Sequence, residues 1–406
     1  MVALSETAPA SPAGGRPGIY IHVPFCLKKC AYCDFYSVSD TRRMDAYADA
    51  LIQEIHQSPR PCLAADTVYF GGGTPTVLPV ITLERILEAV YAHFHVCPDA
   101  EITLEANPGT VTRNALADLH QLGISRLNLG VQSFHDEMLA LLERLHDRQT
   151  ALDAISFAVA AGYENIGIDL IYGLPHQRLD TWEQDLGLAV SLPVQHLSCY
   201  SLTYEPGTPL DSRRINGTIT PLGEDHVADM VLATYDILVA GGFDPYEISN
   251  YARCDKTASV SLYRSRHNMK YWEGAAYVGL GPGAHSFDGR TRGWNHPDLD
   301  SYICALLSGT PPPRTWEHLT REQQAIEAIY LGLRTCEGLD LSAFERLTGV
   351  SLTETAAPFI ALMLEKHHLE IAEARIRMTR TGRLYLDAMV AQMIDLLSNF
   401  DDVTGP

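Results

Sequence analysis

The 406-residue chain predicts an α/β fold: a partial barrel of about six βα units, followed by a mostly helical, winged-helix-like domain. Three observations carry that expectation. Short β-like runs alternate with helical segments as far as residue 205, the rhythm of βα units around a parallel sheet. Polar and glycine-rich motifs recur where those strands end, which is where such barrels gather functional groups. Beyond Thr310-Pro-Pro-Pro313 the chain changes to helices with one short hairpin, and the proline run reads as a stiff linker. Six units exceed what a small open sheet needs and fall short of a closed eight-fold barrel. The expected division is a disordered tail at 1–17, a partial barrel at 18–240, an α/β extension at 241–310 and a C-terminal domain at 314–400.

The elements follow in order. Residues 1–17 are rich in Ala, Pro, Gly and Ser and lack the basic and apolar regions of a signal peptide. A first strand at 18–23 runs into Phe25-Cys26-Leu-Lys-Lys-Cys30-Ala-Tyr32-Cys33-Asp-Phe35, which sets Cys26, Cys30 and Cys33 on one loop. Three readings compete for those thiols. An iron–sulfur cluster would keep one iron without a protein ligand, open to a small molecule. A zinc ion would need His22 or Asp34 as fourth ligand. Uncoordinated buried thiols sit poorly with Lys28 and Lys29, which keep the loop wet.

Helix 42–56 and strand 66–70 come next, and that strand ends in Gly71-Gly-Gly-Thr74-Pro75. Three glycines there let main chain approach a ligand where a Cβ would clash. Helix 83–94 precedes strand 101–105, which ends at Glu105 before Asn107-Pro108-Gly109. After helix 113–122, strand 126–129 leads into Gly130-Val-Gln132-Ser133-Phe134. A helix at 139–145 is closed by Arg144 and His146. Helix 151–161, strand 165–171 with Asp169 in an apolar run, helix 182–191 and strand 196–202 complete the units. A lone carboxylate in such a run is costly without a partner. An amphipathic helix at 224–240, mixed strand and turn signals at 243–251, and helices at 321–333, 342–347, 353–365 and 382–398 follow, with a hairpin at 369–378.

Composition narrows the function. The net charge of −20 argues against a nucleic-acid partner, since phosphate contacts need clustered Lys and Arg. Arg375, Arg377, Arg380 and Arg383 near the hairpin are the one local exception. No run of eighteen apolar residues predicts a transmembrane segment, and only peripheral membrane contact through a local basic patch remains. Nine cysteines without even spacing do not form a disulfide framework. A cluster needs reduced thiols, so the expected location is cytoplasmic.

The Cys-x3-Cys-x2-Cys spacing with Tyr32 before the third thiol resembles the radical S-adenosylmethionine superfamily. Tyr20-Ile-His22-Val-Pro-Phe-Cys26, Gly71-Gly-Gly-Thr-Pro-Thr76, Gly130-Val-Gln-Ser-Phe134, Asp169-Leu-Ile-Tyr-Gly-Leu-Pro175, Tyr246-Glu-Ile-Ser-Asn250 and Gly281-Pro-Gly-Ala-His-Ser286 resemble the oxygen-independent coproporphyrinogen III oxidase family. Two features resemble its HemW branch, described as haem chaperones. The oxidases carry a fourth Cys where this chain has Phe35, and the branch carries His-Asn-x-x-Tyr-Trp, matched by His267-Asn268-Met269-Lys270-Tyr271-Trp272. The oxidases also have a longer N-terminal part ahead of the cysteine loop.

The resemblance implies a [4Fe-4S] cluster on Cys26, Cys30 and Cys33, with S-adenosyl-L-methionine on its open iron. It implies ligand contacts from Tyr20 and Tyr32, from Gly72, Gly73 and Thr74 at the methionine amino end, and from Glu105, Gln132, Arg144 and Asp169. It implies haem at His267, Tyr271 and Trp272, delivered to acceptor haemoproteins, with an electron donor if the cluster is redox active. An imidazole suits iron, aromatic faces suit a flat macrocycle, and a helical segment would put His267 and Tyr271 on one face. His22, His146 and His285 are weaker haem candidates, and His93-Phe-His95-Val-Cys97 reads as structural. The competing function is oxidative decarboxylation of coproporphyrinogen III propionates to vinyls.

Overall fold

A computed structural model describes residues 15–58, 64–254 and 261–401 of the protein. The expected tail lies outside the described residues as far as residue 14. Its last residues are tied down: Arg16 donates to the Cys97 thiol at 3.0 Å and its carbonyl accepts from Lys270 Nζ at 2.7 Å.

Six strands run parallel in chain order: β1 (Gly18–Val23), β2 (Ala65–Gly72), β3 (Val96–Ala106), β4 (Arg126–Gln132), β5 (Ile166–Tyr172) and β6 (His196–Ser201). The connections carry α1 (Met44–Gln57), α2 (Val80–His93), α3 (Arg113–Gln121), α4 (Asp136–Leu141), α5 (Arg148–Ala160) and α6 (Leu179–Ser191), and α7 (Pro209–Ile215) and α8 (Glu224–Ala240) follow β6. Side chains at the helix starts fix where several begin. Thr112 accepts from Ala115 N, Asp147 from Thr150 N and Thr208 from Asp211 N, each satisfying an amide that the first turn leaves free. The helix expected at 139–145 runs instead from Asp136 to Leu141, because Glu143 takes a left-handed backbone (φ 58°). Arg144 and His146 therefore lie on the turn after α4, not on a helix.

The sheet continues on both sides. Beyond β6 lie β8 (Asn250–Arg253) and β7 (Phe243–Pro245), antiparallel. Beyond β1 lie β9 (Tyr277–Leu280), parallel to it, then β10 (His285–Phe287), β11 (Thr291–Asn295) and β12 (Arg314–His318), antiparallel, for twelve strands in all. Between these strands fall α9 (Arg266–Trp272) and α10 (Leu299–Leu307). Strand β12 follows the proline run directly and pairs with β11. The proline run thus leads into a strand of this sheet, and we propose that the domain boundary falls near Leu319 rather than at residues 310–314.

Strand alternation separates two environments. On β4, Leu127, Leu129 and Val131 are fully buried beneath the helices, while Arg126, Asn128 and Gln132 face inward. Registered pairs extend the inner face in rows: Tyr20, Tyr69, Thr103 and Arg126 in one, His22, Gly71, Glu105, Asn128, Gly167 and His196 in the next. The apolar outer face joins the helices in one large core, where each fully buried aliphatic side chain contributes roughly 1.5–3 kcal/mol.

A second core starts in α11 (Arg321–Arg334), which opens on a Thr320–Gln323 capping box. It includes β13 (Leu339–Asp340), α12 (Leu341–Thr348), α13 (Leu352–Thr355), α14 (Ala357–Glu365), the hairpin β14 (Leu369–Ala372) and β15 (Arg375–Met378), and α15 (Leu386–Asp401). The arginines near the hairpin have partners within the protein. Arg375 pairs with Asp340, Arg377 donates to the Glu337 carbonyl, Arg380 pairs with Asp236 and Arg383 donates to the Glu247 carbonyl.

Candidate functional site

The cysteine loop leaves the C-terminal end of β1 and is closed on itself. Cys26 N donates to the Val38 carbonyl at 3.0 Å and Val38 N to the Pro24 carbonyl at 2.7 Å. Its floor is the triple-glycine turn: Gly73 N donates to the Val23 carbonyl at 2.8 Å and Thr74 N to the Phe25 carbonyl at 2.7 Å. A Cβ on Gly73 would lie 2.6 Å from the Phe25 carbonyl oxygen, and one on Gly72 (φ 104°) 2.5 Å from the His22 ring. The space that these glycines keep open is filled by the protein's own loop.

His22 pins the far side of the loop. Burial pushes its pKa down to about 4, so the ring is neutral. Nε2 donates to the Tyr36 carbonyl at 2.9 Å, which leaves Nδ1 to accept from the Tyr20 hydroxyl at 3.1 Å. With both nitrogens engaged, His22 is not placed to complete a zinc site, and Asp34 is exposed. Among the described residues no three His, Cys, Asp or Glu side chains are gathered closely enough to hold a single metal ion. A four-iron cluster takes its thiolates on separate irons and asks for a wider spread. The three thiols are half-buried, and burial, then the neighbouring Cys30 and Cys26, raise the Cys33 pKa. A cationic centre would relieve that cost. The donor set therefore fits a cluster held by Cys26, Cys30 and Cys33.

Polar side chains from the ends of β2 and β3 and from the turn after α4 link two of the thiols, Cys26 and Cys30, in a ring of contacts. Cys26 Sγ lies 3.5 Å from Thr74 Oγ1, which accepts from Asn107 Nδ2 at 2.7 Å. Asn107 Oδ1 accepts from Arg144, whose other arm donates to Cys30 Sγ at 3.4 Å. Arg144 also donates to the Gly130 carbonyl at 2.6 Å, and Tyr32 lies close enough to feel its charge. Two buried atoms beside this ring lack partners, Arg144 Nε and Gln132 Oε1. Gln132 sits at φ 70°, the end of β4. Buried polar atoms left unpaired cost about 1–3 kcal/mol each, and a zwitterionic ligand with an amine, a carboxylate and ribose hydroxyls offers them partners.

Below the ring lies an acidic layer. Burial pushes Glu105 up to about 7; it accepts from Tyr69 at 2.7 Å and from Gly72 N at 3.2 Å. Asp169, also raised by burial, accepts from Asn128 Nδ2 at 2.8 Å. Arg126, 1% exposed, is the cation beside both, and its Nε has no partner. Thr74, Asn107, Arg144, Gln132, Glu105 and Asp169 thus share one end of the barrel with the cysteine loop. Tyr20 lies deeper, its hydroxyl held by His22.

Sequence reasoning left Asn107, Asn128 and Arg126 out of the site. For Arg126 and Asn128 the signal was there, as polar residues at every second position of Arg126-Leu-Asn-Leu129.

The His267 motif lies at the opposite end. Helix α9, capped by Ser265, seats against the starts of β2 and β3: Lys270 pairs with Asp66 at 2.6 Å and Arg266 donates to the Asp99 carbonyl at 2.8 Å. His267 and Tyr271 do share a face, but that face enters the barrel. The imidazole is 1% exposed and stacks on Tyr69 at 5.0 Å. Its Nδ1 lies 2.8 Å from Thr67 Oγ1 and its Nε2 3.0 Å from the Tyr271 hydroxyl. Burial pushes its pKa down to about 3. In this conformation neither nitrogen is free for an iron. Trp272 lies toward the C-terminal domain, with the Arg334 guanidinium 4.6 Å above its ring. Of the weaker candidates, His146 donates to the Val131 carbonyl at 3.0 Å and His285 stacks on Trp294 at 5.6 Å. His93 contacts the Ser58 carbonyl at 2.6 Å.

Known proteins resemble this chain. Residues 20–189 match the family model of the radical SAM superfamily, and residues 319–385 that of the HemN C-terminal domain. The heme chaperone HemW of Mycobacterium tuberculosis is 34% identical over 391 residues, 95% of this chain and 96% of its own. HemW of Synechocystis is 37% identical over 83% of this chain and 82% of its own, and that of Escherichia coli 36% over 66% and 69%. Among solved structures, the coproporphyrinogen III oxidase HemN of Escherichia coli, a radical SAM enzyme, superposes with a TM-score of 0.77 over 96% of this chain and 92% of its own; at 24% identity that likeness shows the fold. About a third of the residues are shared with these relatives over two thirds or more of the chain, and the chain belongs to the HemW family of the radical SAM superfamily.

Proposed function

We propose that the protein binds haem and delivers it to acceptor haemoproteins in the cytoplasm, carrying a [4Fe-4S] cluster and S-adenosylmethionine as resident cofactors. The relatives named heme chaperones support this reading. The observation that carries it against the decarboxylase is the charge of the barrel interior. Glu101, Glu105 and Asp169 face inward, and Arg126 and Arg144 are the cations beside them. Arg144 is already held by Asn107 and the Gly130 carbonyl. A tetrapyrrole with four propionates would have to be desolvated against those carboxylates. Phe35, 66% exposed, also stands where the oxidases carry a further thiol.

When bound, the cluster would be a one-electron centre with S-adenosylmethionine on its open iron. Cys26, Cys30 and Cys33 would hold the cluster. Thr74, Gln132, Arg144, Glu105 and Asp169 are the polar groups aimed at the ligand, with Tyr32 covering it. His22 and the triple glycine keep the loop in shape. An electron donor becomes a partner if the cluster cycles.

The test is anaerobic reconstitution followed by two assays on one sample, haem titration by absorbance and protoporphyrinogen formation from coproporphyrinogen III. We expect haem binding and no product. Product over several turnovers would replace this reading with the decarboxylase.

A further inference from the structure

A cavity of about 320 Å3 opens between the barrel extension and the C-terminal domain. Tyr271 of α9, Ala275, Tyr277 of β9 and Phe287 of β10 form one wall; Ile326 and Tyr330 of α11 form the other. The rings are set edge to face, with Tyr271 and Tyr277 at 4.7 Å and 82°. The charge on the wall is already met: Arg292 pairs with Glu327 at 2.9 Å and with Glu317 at 3.7 Å, and lies over Phe287 at 5.5 Å. Tyr330 is 37% exposed at the rim, so the cavity has a way in. Apolar walls, aromatic rings and a position between two domains are the marks of a small-molecule site. The volume is at the lower end of such sites, so it admits one edge of a large flat ring rather than the whole.

We propose that this cavity takes the uncharged, vinyl-bearing edge of haem, leaving the two propionates in solvent, and that it thereby selects against tetrapyrroles carrying a carboxylate on every ring. The proposal rests on the haem-binding reading and moves the contact from the His267 imidazole to the far side of Tyr271. In iron coproporphyrin III the two vinyl positions carry propionates, so inserting the same edge would desolvate a carboxylate beside Glu327, and Arg292 is already neutralised.

The test titrates the full-length protein with haem and with iron coproporphyrin III, each followed by absorbance. Two variants accompany the wild type. Ile326→Trp fills the cavity and Tyr330→Ala removes one aromatic wall; circular dichroism checks each fold. The wild type is expected to bind haem at least ten-fold more tightly than iron coproporphyrin III. Both folded variants should bind haem at least ten-fold more weakly, with iron and sulfide content unchanged. Should the Trp variant fail to fold, the Tyr330 variant decides. Equal affinity for the two iron porphyrins, or wild-type haem affinity in a folded variant, would overturn the placement. A wild type that binds neither would overturn the haem-binding reading itself.

Discussion

Gly73 has the carbonyls of Val23 and Phe25 within 3 Å of where a Cβ would be, so Gly73→Val must move the backbone that carries Cys26. We expect at least a ten-fold loss of S-adenosylmethionine affinity in equilibrium titration, together with reduced iron content. Asp169→Ala, on β5 and hydrogen-bonded by Asn128, is expected to weaken the ligand by a similar factor while keeping the iron. Unchanged affinity in both variants would remove the ligand from this end of the barrel. His267 makes a second prediction. Its folded pKa is near 3 against an ordinary 6.5, so between those values the unfolded chain binds the extra proton. Stability from this ring is complete above pH 6.5 and is lost as pH falls toward 3. His267→Asn should lower the acid-side slope of unfolding free energy by up to ~1.4 kcal/mol per pH unit in that window. Urea unfolding at pH 7 and pH 5 measures it, and an unaltered slope would mean that the ring is not buried neutral. The residue types of the site were legible before the fold. Their partners were not, because Asn107 reaches Arg144 only through the turn after α4, and Asn128 reaches Asp169 only through strand register.

Elements show the same division between what local pattern dictates and what tertiary packing adds. The βα rhythm and the winged hairpin are written in periodicity and turn residues, and they appear where expected. Helix α4 ends early at a left-handed Glu143, which no propensity rule demands; its carboxylate is held by Lys28 and Arg213 from two other elements. Strand β12 follows three prolines because its pairing partner, not its composition, decides its place. Helix α9 was legible as a helix with one shared face, but nothing in the sequence said that the face enters the barrel. The cysteine loop carries the prediction at this scale. Replacing Cys26, Cys30 and Cys33 together with Ala should abolish the broad visible absorbance of reconstituted protein. Single Ala variants at Cys97, Cys199, Cys254, Cys304 and Cys336 should retain it; Cys62 lies outside the described residues and is expected to behave like these. Full iron and sulfide in the triple variant would displace the cluster from this loop.

Across the whole molecule, the cysteine loop and the His267 motif lie at opposite ends of one barrel. The open strand ends hold the thiols and the polar side chains around them; the strand starts are plugged by α9, whose His267 and Tyr271 enter the barrel while Trp272 lies toward the C-terminal domain. An acidic interior lies between them, hostile to a poly-carboxylate substrate. No helix among the described residues is long and apolar enough to cross a membrane. The central claim is that this protein carries haem and does not convert a porphyrinogen. One measurement bears on it most directly: anaerobic, reduced, cluster-loaded protein is incubated with S-adenosylmethionine and coproporphyrinogen III, while a second aliquot is titrated with haem. The account predicts saturable haem binding and no protoporphyrinogen; multiple-turnover protoporphyrinogen formation, or the absence of any haem complex, would contradict it.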